Sequence, residues 1–460
     1  MALGPLLVGL GLSGLTAALL SEGAMPVVLL PAAGALLLAA TVMSRYAALA
    51  LLGLLLVGHV GFSIDFAKTS ITLFGLPLYV TDFLLAPVLI ASLLSGRWRR
   101  PEATPLVLAV GAFCGFSLLS ALFSLIDERE LQLVLYQGTP FIYYPLAALC
   151  LAWNIDLRKD RSLVVACAAA ACSLAVGYGV FHAITGQFFA TEQDVPRYLR
   201  GDSGTFLAAS FVALLLLPPR PLRTEIRMLA PAAALVAGAL LSEHRSVWLA
   251  AAIALSVSWL VAPRARPAVR ASVWLAALVL SLAVGGLLLE SDQVSGTLDR
   301  ILSTADTTTV NADYRLAAWD ASLADIGENP LGGSGFGKMF VFYNRGLLYT
   351  GAPHNSLVNI AWYLGIPGFL LFVLTQAVFL SRIFRGKRTL ETVGWTHVVL
   401  FGAWLSLLVV AAFNVILESP VGAIPFWLTI GIPFGAMSSE REAIPSTAVN
   451  LRGSERLLTR

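Results

Sequence analysis

Apolar stretches close to 20 residues long recur along this chain, and no other feature restricts its fold as strongly. Hydrophobic residues make up 58% of the 460 positions and charged residues only 12%, about half the charged fraction of a soluble domain. An apolar helix of about 20 residues can cross the ~30 Å hydrocarbon core of a bilayer. The sequence therefore predicts an all-α polytopic membrane protein.

The apolar runs give fourteen candidate membrane spans, and we expect about 12–14 transmembrane helices. The candidate spans are residues 2–20, 25–43, 46–62, 77–95, 104–125, 139–153, 162–185, 203–218, 228–242, 246–262, 271–289, 355–379, 394–415 and 420–437. No basic region precedes the apolar run after Met1, so the first span is predicted to be an uncleaved helix and not a signal peptide.

The spans divide the chain into four parts. Residues 1–289 form a predicted transmembrane bundle of about eleven spans, and residues 290–353 form one large external loop. Residues 354–437 contain the last three predicted spans, and residues 438–460 form a predicted cytoplasmic tail.

The distribution of basic residues predicts the orientation of the chain. If the N-terminus is cytoplasmic, 21 of the 30 Lys and Arg residues lie in the cytoplasmic loops and the C-terminal tail. Short basic cytoplasmic loops are what the positive-inside rule requires, so both termini are predicted to be cytoplasmic. This asymmetry explains the basic loops without a nucleic-acid partner.

The remaining nine cations lie on the predicted external side, where topology does not require them. They are Lys68, Arg129, Arg197, Arg200, Arg245, Arg300, Arg315, Lys338 and Arg345. Arg245 lies in a short turn at membrane-surface depth, which favours a ligand-binding role over snorkelling. For Arg197 and Arg200 the two interpretations are equally balanced. Arg129 has acidic neighbours, so local charge pairing is the simpler interpretation.

The external loop is predicted to contain an amphipathic helix near residues 312–327, with Asn311 as its N-cap. The apolar positions at helical spacing are Leu316, Trp319, Leu323 and Ile326. Asn329-Pro330 should end this helix. Arg315 lies one turn before Trp319, so both side chains could face the membrane surface. Alternatively, Trp319 is only an interfacial anchor and Arg315 its solvated neighbour.

A glycine-rich segment, Leu331–Lys338, follows the predicted helix. It lacks the spacing of a nucleotide-binding P-loop and is interpreted as a flexible turn that lets the backbone approach another group closely. The external aromatic residues Tyr343, Tyr349 and Trp362 could stack on sugar rings, although an interfacial belt is the commoner role of such residues.

His354 follows Pro353 at the predicted start of the span 355–379. A helix start offers free N–H groups and a positive dipole end, which suit phosphate oxygens. The same field favours a neutral imidazole that can accept a proton, whereas a bound phosphate would favour the charged ring. A capping or interfacial histidine is the alternative. A carboxylate base within Asp127–Glu130, or at Glu418, also stays open.

Taken together, these motifs resemble the O-antigen ligase and O-unit polymerase superfamily of bacterial envelope glycosyltransferases, most strongly over residues 240–415. The motifs that carry the resemblance are Arg245, Arg315-x-x-x-Trp319, Asn329-Pro330-Leu331-Gly332-Gly333-Ser334-Gly335, Pro353-His354-Asn355 and Gly365-Ile366-Pro367-Gly368. The segment Arg200–Phe206 is also similar to a family segment, though less specifically.

The resemblance implies a helical GT-C-type glycosyltransferase that works on the outer side of the bacterial plasma membrane. Its donor would be a glycan on undecaprenyl diphosphate, and its acceptor a growing polysaccharide or a lipid-anchored core sugar. No metal or cofactor would be needed. His354 would be the base beside the acceptor, and Arg245 and Arg315 would bind the diphosphate, with Arg200 and Arg197 as further candidates. Direct displacement would invert the anomeric carbon.

A transporter or flippase of lipid-linked sugars is the main alternative. Transporters place charges near the bilayer midplane and often show internal repeats. In this sequence the predicted spans contain few ionisable groups and no clear repeat, and the polar groups gather at one face. This pattern favours a one-sided enzyme. The histidines lack the spacing of a metal site.

Overall fold

The structure is a computed structural model, and it is mostly helical. It describes residues 44–61, 70–73, 76–95, 103–155, 157–186, 190–192, 195–216, 222–242, 244–261, 310–386 and 394–436. The predicted spans 2–20, 25–43 and 271–289, and the predicted tail, lie outside these residues.

Twelve α-helices lie within the described part of the chain. They are α1 (Ser44–Leu56, continued by a π-turn at Val57–Gly61), α2 (Val80–Ser95), α3 (Thr104–Ile126), α4 (Leu131–Asn154), α5 (Leu157–Thr185), α6 (Gly201–Leu215), α7 (Leu222–Leu241), α8 (Arg245–Val261), α9 (Val310–Glu328), α10 (Ser356–Gly386), α11 (Gly394–Phe413) and α12 (Pro420–Ala436). Except for α9, each overlaps a predicted span. The short span predicted at 139–153 proves to be part of the longer helix α4.

Within the described residues, three helical segments are long and apolar enough to cross a membrane, namely Thr104–Ile126, Ser162–Thr185 and Ser356–Phe384. Several shorter apolar helices accompany them, including Ser246–Ser258 and Pro420–Phe434. The predicted number of spans therefore stays an expectation, while the helical nature of these segments is shown.

Three antiparallel hairpins depart from the all-α prediction. Their strands are β1 (Ser70–Leu73), β2 (Leu76–Tyr79), β3 (Ala190–Glu192), β4 (Val195–Arg197), β5 (Val341–Asn344) and β6 (Leu347–Thr350), paired in sequence order. Each hairpin lies in a connection between helices, where a short return of the chain lets backbone groups pair with each other. In β5–β6 the alternation of side chains places Phe342 and Tyr349 on one face and Tyr343 and Leu348 on the other.

The core at the centre of the bundle is aromatic. The ring of Phe372 on α10 lies 5.9 Å from Phe113 on α3 and 6.0 Å from Phe426 on α12. Gly431 lets α12 approach α4, since a Cβ at this position would lie 2.8 Å from atoms of Leu149 and Ala152. These contacts make α3, α4, α10 and α12 one packed unit.

Helix α10 is broken at Gly365, whose backbone has φ 66° and ψ −175°. Pro367 has no N–H to donate to the carbonyl of Tyr363, and the N–H of Ile366 donates to the Pro330 carbonyl at 2.8 Å. Two carbonyls of α10 therefore need other donors.

The glycine-rich segment Leu331–Lys338 supplies those donors. The N–H of Ser334 donates to the Trp362 carbonyl at 2.6 Å, and the N–H of Gly335 donates to the Tyr363 carbonyl at 3.0 Å. The sequence suggested a flexible turn, but the segment is fixed by these hydrogen bonds. The backbone that it approaches closely is that of the broken helix.

Arg129 and Gln137 hold the other side of this segment. Arg129 Nη1 donates to the carbonyls of Ser334 at 2.6 Å and Phe336 at 2.8 Å, in addition to a 3.6 Å ion pair with Asp127. Gln137 accepts from the N–H of Gly337 at 2.6 Å. The local pairing predicted for Arg129 is therefore only part of its role.

We expect Gly333→Ala to destabilise the protein and Gly332→Ala to leave its stability unchanged. Gly333 has φ 65°, and a Cβ there would lie 2.5 Å from the Gly365 nitrogen. The left-handed conformation alone costs an alanine roughly 1–2 kcal/mol. Gly332 faces open space. Thermal unfolding in detergent micelles should show a lower midpoint for Gly333→Ala only, and equal midpoints for the two variants would contradict the close backbone contact.

Candidate functional site

Helix α9 carries Arg315 and packs beside the start of α10. It begins at Val310, so Asn311 lies inside the helix and is not the predicted N-cap. Ala318, Ser322 and Ile326 are buried, whereas Leu316 and Leu323 are exposed. Of the four positions predicted to form the apolar face, Ile326 is buried and Trp319 half-buried, whereas the places expected for Leu316 and Leu323 are taken by small buried residues.

Two tryptophan indoles join α9 to α10 and to the loop before it. Trp319 Nε1 donates to the Pro353 carbonyl at 2.8 Å, next to His354. Trp362 Nε1 donates to Asp325 Oδ2 at 2.9 Å. Trp319 is thus half-buried and bonded to protein, not a free interfacial anchor. Trp362 is 1% exposed, which removes it as a sugar-stacking residue.

The sequence suggested that His354 lies in the first turn of the helix. In the structure it lies before the helix, which begins at Ser356. Asn355 is the residue that caps α10, since its Oδ1 accepts from the N–H groups of Leu357 at 2.9 Å and Val358 at 3.1 Å. His354 has φ 49°, in the left-handed region that non-glycine residues rarely occupy. This conformation turns the chain sharply just before Asn355, which caps the helix.

The imidazole of His354 is half-buried between an aromatic ring and a guanidinium. The Tyr314 ring meets it edge to face with centroids 5.6 Å apart. Burial, and then the positive charge of Arg315, lower the pKa of His354 below its ordinary value. Arg315 therefore lies close enough to His354 to act on it electrostatically, and both influences favour the neutral, proton-accepting form of the ring.

A chain of hydrogen bonds ties the start of α8 to the start of α10. Asn414 Nδ2 donates to Ser246 Oγ at 2.6 Å, and the Asn414 carbonyl accepts from the N–H of Ser356 at 3.2 Å. Arg245 is the residue immediately before Ser246 and begins α8. The backbone positions of Arg245 and His354 thus flank one small hydrogen-bonded corner.

Glu418 is the acidic member of this corner. Its carboxylate accepts from Ser356 Oγ at 2.6 Å and from Asn359 Nδ2 at 2.7 Å. Burial raises the pKa of Glu418, while these two donors and nearby backbone N–H groups act in the opposite direction. The carboxylate is already engaged on both oxygens, so its geometry fits a positioning role better than that of a free base. Asp127, by contrast, is exposed and paired with Arg129.

The Arg200 segment packs against the same corner. Arg200 is half-buried and immediately precedes α6. A Cβ on Gly201 would lie 2.4 Å from His244 Nε2, and one on Gly204 would lie 2.4 Å from Ser242 Oγ. The start of α6 therefore lies directly against the turn before Arg245. The side chains of Arg197 and Arg245 lie outside the described part of the structure.

Four helices begin at this end of the bundle. The starts of α6 and α8 are in contact, the start of α8 is bonded through Asn414 to α10, and Glu418 joins α10 to the residues before α12. Each helix start contributes the positive end of its dipole, although the first N–H groups of α10 are already bonded to Asn355 and Asn414. With Arg200, Arg245 and Arg315 at the same end, the arrangement suits a phosphate-bearing ligand.

Comparison with known families decides what this site belongs to. Residues 230–373, about a third of the chain, match the model of the family described as O-antigen ligase. This part of the chain is similar to O-antigen ligases. The resemblance predicted from the sequence is thereby confirmed, and the matched residues include Arg245, Arg315 and His354. No curated protein matches the chain significantly.

The O-antigen ligase domain and the apolar helices together indicate a bacterial inner-membrane protein with an O-antigen ligase or polymerase type of activity. Within the described residues, no group of three or more His, Cys, Asp or Glu side chains is arranged to hold a metal ion.

Sequence reasoning missed two residues of the corner, Asn414 and Ser356. The available signal was weak: Asn414 is a single amide at the end of an apolar span, and Ser356 is an ordinary residue for a first helical turn. Only their contacts with Ser246 and Glu418 show what they do.

We expect Glu418→Ala to destabilise the protein by about 1–3 kcal/mol. The substitution removes the acceptor of the buried Asn359 amide, whereas the Ser356 hydroxyl keeps the Asn414 carbonyl at 3.0 Å. An unsatisfied buried polar group typically costs that much. Glu418→Gln should retain most of the stability because an amide oxygen still accepts. Thermal unfolding would measure both, with exposed Glu328→Ala as the control. Equal midpoints for Glu418→Ala and Glu328→Ala would contradict the role given to the corner.

Proposed function

We propose that this protein transfers a glycan from undecaprenyl diphosphate to a hydroxyl group on the outer side of the plasma membrane. The acceptor oxygen attacks the anomeric carbon while the bond from that carbon to the diphosphate oxygen breaks. The acceptor proton goes to His354, and the lipid diphosphate leaves with the bonding electron pair. One direct displacement inverts the anomeric configuration.

The observation that carries the proposal is the pairing of Arg315 with His354 inside an O-antigen ligase domain. A general base works best when it is neutral at the operating pH, and both burial and Arg315 favour neutral His354. The cation beside it suits the departing diphosphate. A base and a cation close enough to influence its pKa are the two groups that a glycosyl transfer from a diphosphate requires.

The diphosphate would lie against the converging helix starts. Arg245 and Arg315 are the proposed primary ligands, with Arg200 and Arg197 contributing from the adjacent segment. Arginine suits this role because it stays charged and can bind two phosphate oxygens at once. Preorganised donors aimed at developing charge lower a barrier by roughly 2.7–4 kcal/mol each. The gathering of polar groups at one end of the bundle supports this reaction over transport.

Reconstitution tests the proposal and separates polymerase from ligase. The purified chain is given an undecaprenyl-diphosphate glycan, with or without a lipid-anchored core acceptor. A ladder of products without the core indicates a polymerase, and a single transfer to the core indicates a ligase. Absence of transfer in both, with transbilayer movement of the donor instead, would favour the flippase alternative.

We expect His354→Ala and Arg315→Ala to affect different steps, the first proton transfer and the second donor binding. His354→Ala should lower turnover by about 10²–10⁴-fold, the typical contribution of general-base catalysis, with donor affinity largely unchanged. Arg315→Ala and Arg245→Ala should weaken donor binding as well. Steady-state kinetics and donor-binding titrations measure the two effects.

Arg345→Ala is the matched control for loss of an external arginine, since Arg345 lies in the β5–β6 turn and pairs with Asp313. Its activity should stay within about twofold of the parent, as expected when an exposed ion pair is lost. Full turnover in His354→Ala would exclude this residue as the base.

We expect Arg315 to lower the pH at which kcat/KM falls in acid. The active form needs neutral His354, so kcat/KM falls as the pH drops through its pKa in the free enzyme. Burial and Arg315 lower that pKa, so the fall should lie below the ordinary histidine value of about 6.5. Arg315→Gln removes one cause and should move the fall to higher pH, whereas Arg315→Lys should leave it near that of the parent. An unchanged profile in Arg315→Gln would contradict this assignment.

A further inference from the structure

The hairpin β5–β6 presents an apolar outer face that the proposed reaction does not use. Val341, Tyr343 and Leu348 lie on this face, and Leu347 lies at the tip beside the turn. Tyr343 is 73% exposed and Leu348 56%. A contiguous exposed apolar patch on a folded unit usually marks a contact surface.

The opposite face of the hairpin is already occupied. Phe342 and Tyr349 stack with centroids 5.6 Å apart, and the Tyr314 ring packs on them at 5.0 and 5.2 Å. Tyr314 also meets His354. A single ring thus separates the inner face of the hairpin from the histidine, and only the outer face is left for a further partner.

The position of the hairpin indicates which partner covers the outer face. Only five residues lie between Thr350 and Ser356, where a helical segment long enough to cross the bilayer begins, so the two are at most about 22 Å apart. The link is further shortened by hydrogen bonds from Gly351 N–H to the Phe340 carbonyl and from Trp319 to the Pro353 carbonyl. The hairpin is therefore held close to the level at which α10 enters the membrane.

The chemistry of the face fits lipid. Three of its four residues are aliphatic or tyrosine, and the fourth, Thr350, is uncharged. Apolar side chains with tyrosine suit the interface between hydrocarbon and headgroups. The one charged residue of the hairpin, Arg345, lies in the turn and pairs with Asp313. The face therefore offers no charge for a polar protein partner.

We propose that the outer face of β5–β6 inserts into the headgroup and upper acyl region of the adjacent membrane leaflet. The proposed lipid contact does not depend on the reaction proposed above. Lipid on the outer face and Tyr314 on the inner face would then fix the hairpin beside His354.

Quenching by brominated lipids tests the inference on the full chain in phosphatidylcholine nanodiscs. In a background with the four cysteines replaced, an environment-sensitive dye is attached to Tyr343→Cys or to Leu348→Cys. Leu119→Cys, exposed on the spanning helix α3, is the lipid reference, and Glu328→Cys, exposed at the end of α9, is the water reference. Dyes at 343 and 348 should be quenched at least half as strongly as the dye at 119, and about fivefold more than the dye at 328.

Two results would overturn the inference. Quenching at 343 and 348 no greater than at 328, while 119 is quenched, would place the face in water. Dye–dye contact between two chains in one nanodisc, with no lipid quenching, would identify a second copy as the occupant. Two independent labelling sites on exposed side chains, each checked for an unchanged thermal midpoint, keep the test decisive if one variant folds poorly.

Discussion

When a helix breaks among apolar side chains, the backbone carbonyls that lose their helical donors need other hydrogen-bond donors. The arrangement of the segments around α10 follows from this requirement. Burying an unpaired backbone carbonyl is costly. The break in α10 follows from Gly365 and Pro367, and the glycine-rich segment Leu331–Lys338 supplies the missing donors. Because Arg129 in the α3–α4 turn and Gln137 on α4 bond to the same segment, α3, α4, the glycine-rich segment and α10 form one hydrogen-bonded assembly.

This assembly fixes where His354 can be. The segment that repairs α10 follows directly from α9, so α9 must lie along α10, where Trp362 bonds to Asp325. The other tryptophan contact, from Trp319 to Pro353, then holds the loop that carries His354. The proximity of Arg315 to His354 thus depends on the backbone bonds made by Ser334, which lies 19 residues after Arg315 and 20 residues before His354 along the chain. Glu418 and Asn414 secure the same loop from the opposite side.

The sequence was informative wherever a local pattern decides the structure. Apolar runs located most of the described helices to within a few residues, and Asn329-Pro330 correctly predicted the end of α9. The face of α9 could not be predicted, because Leu316 and Leu323 fit helical spacing as well as the buried Ala318 and Ser322 do. The hairpins are too short to leave a periodic signal, and the partner of the glycine-rich segment is a helix break that only tertiary structure reveals.

The candidate site likewise has features that follow from local sequence and features that depend on tertiary structure. Arg315 and His354 could be found because each is a polar residue at an edge of apolar sequence, and because their motifs resemble a family. The effect of Arg315 on the pKa of His354 could not be predicted, since it depends on burial and distance. In the proposed reaction that influence has a further consequence. A bound diphosphate offsets the charge of Arg315, which removes part of what lowers the pKa of His354. The imidazole then becomes a stronger base when the donor is in place, so that proton removal is favoured only once the leaving group is bound.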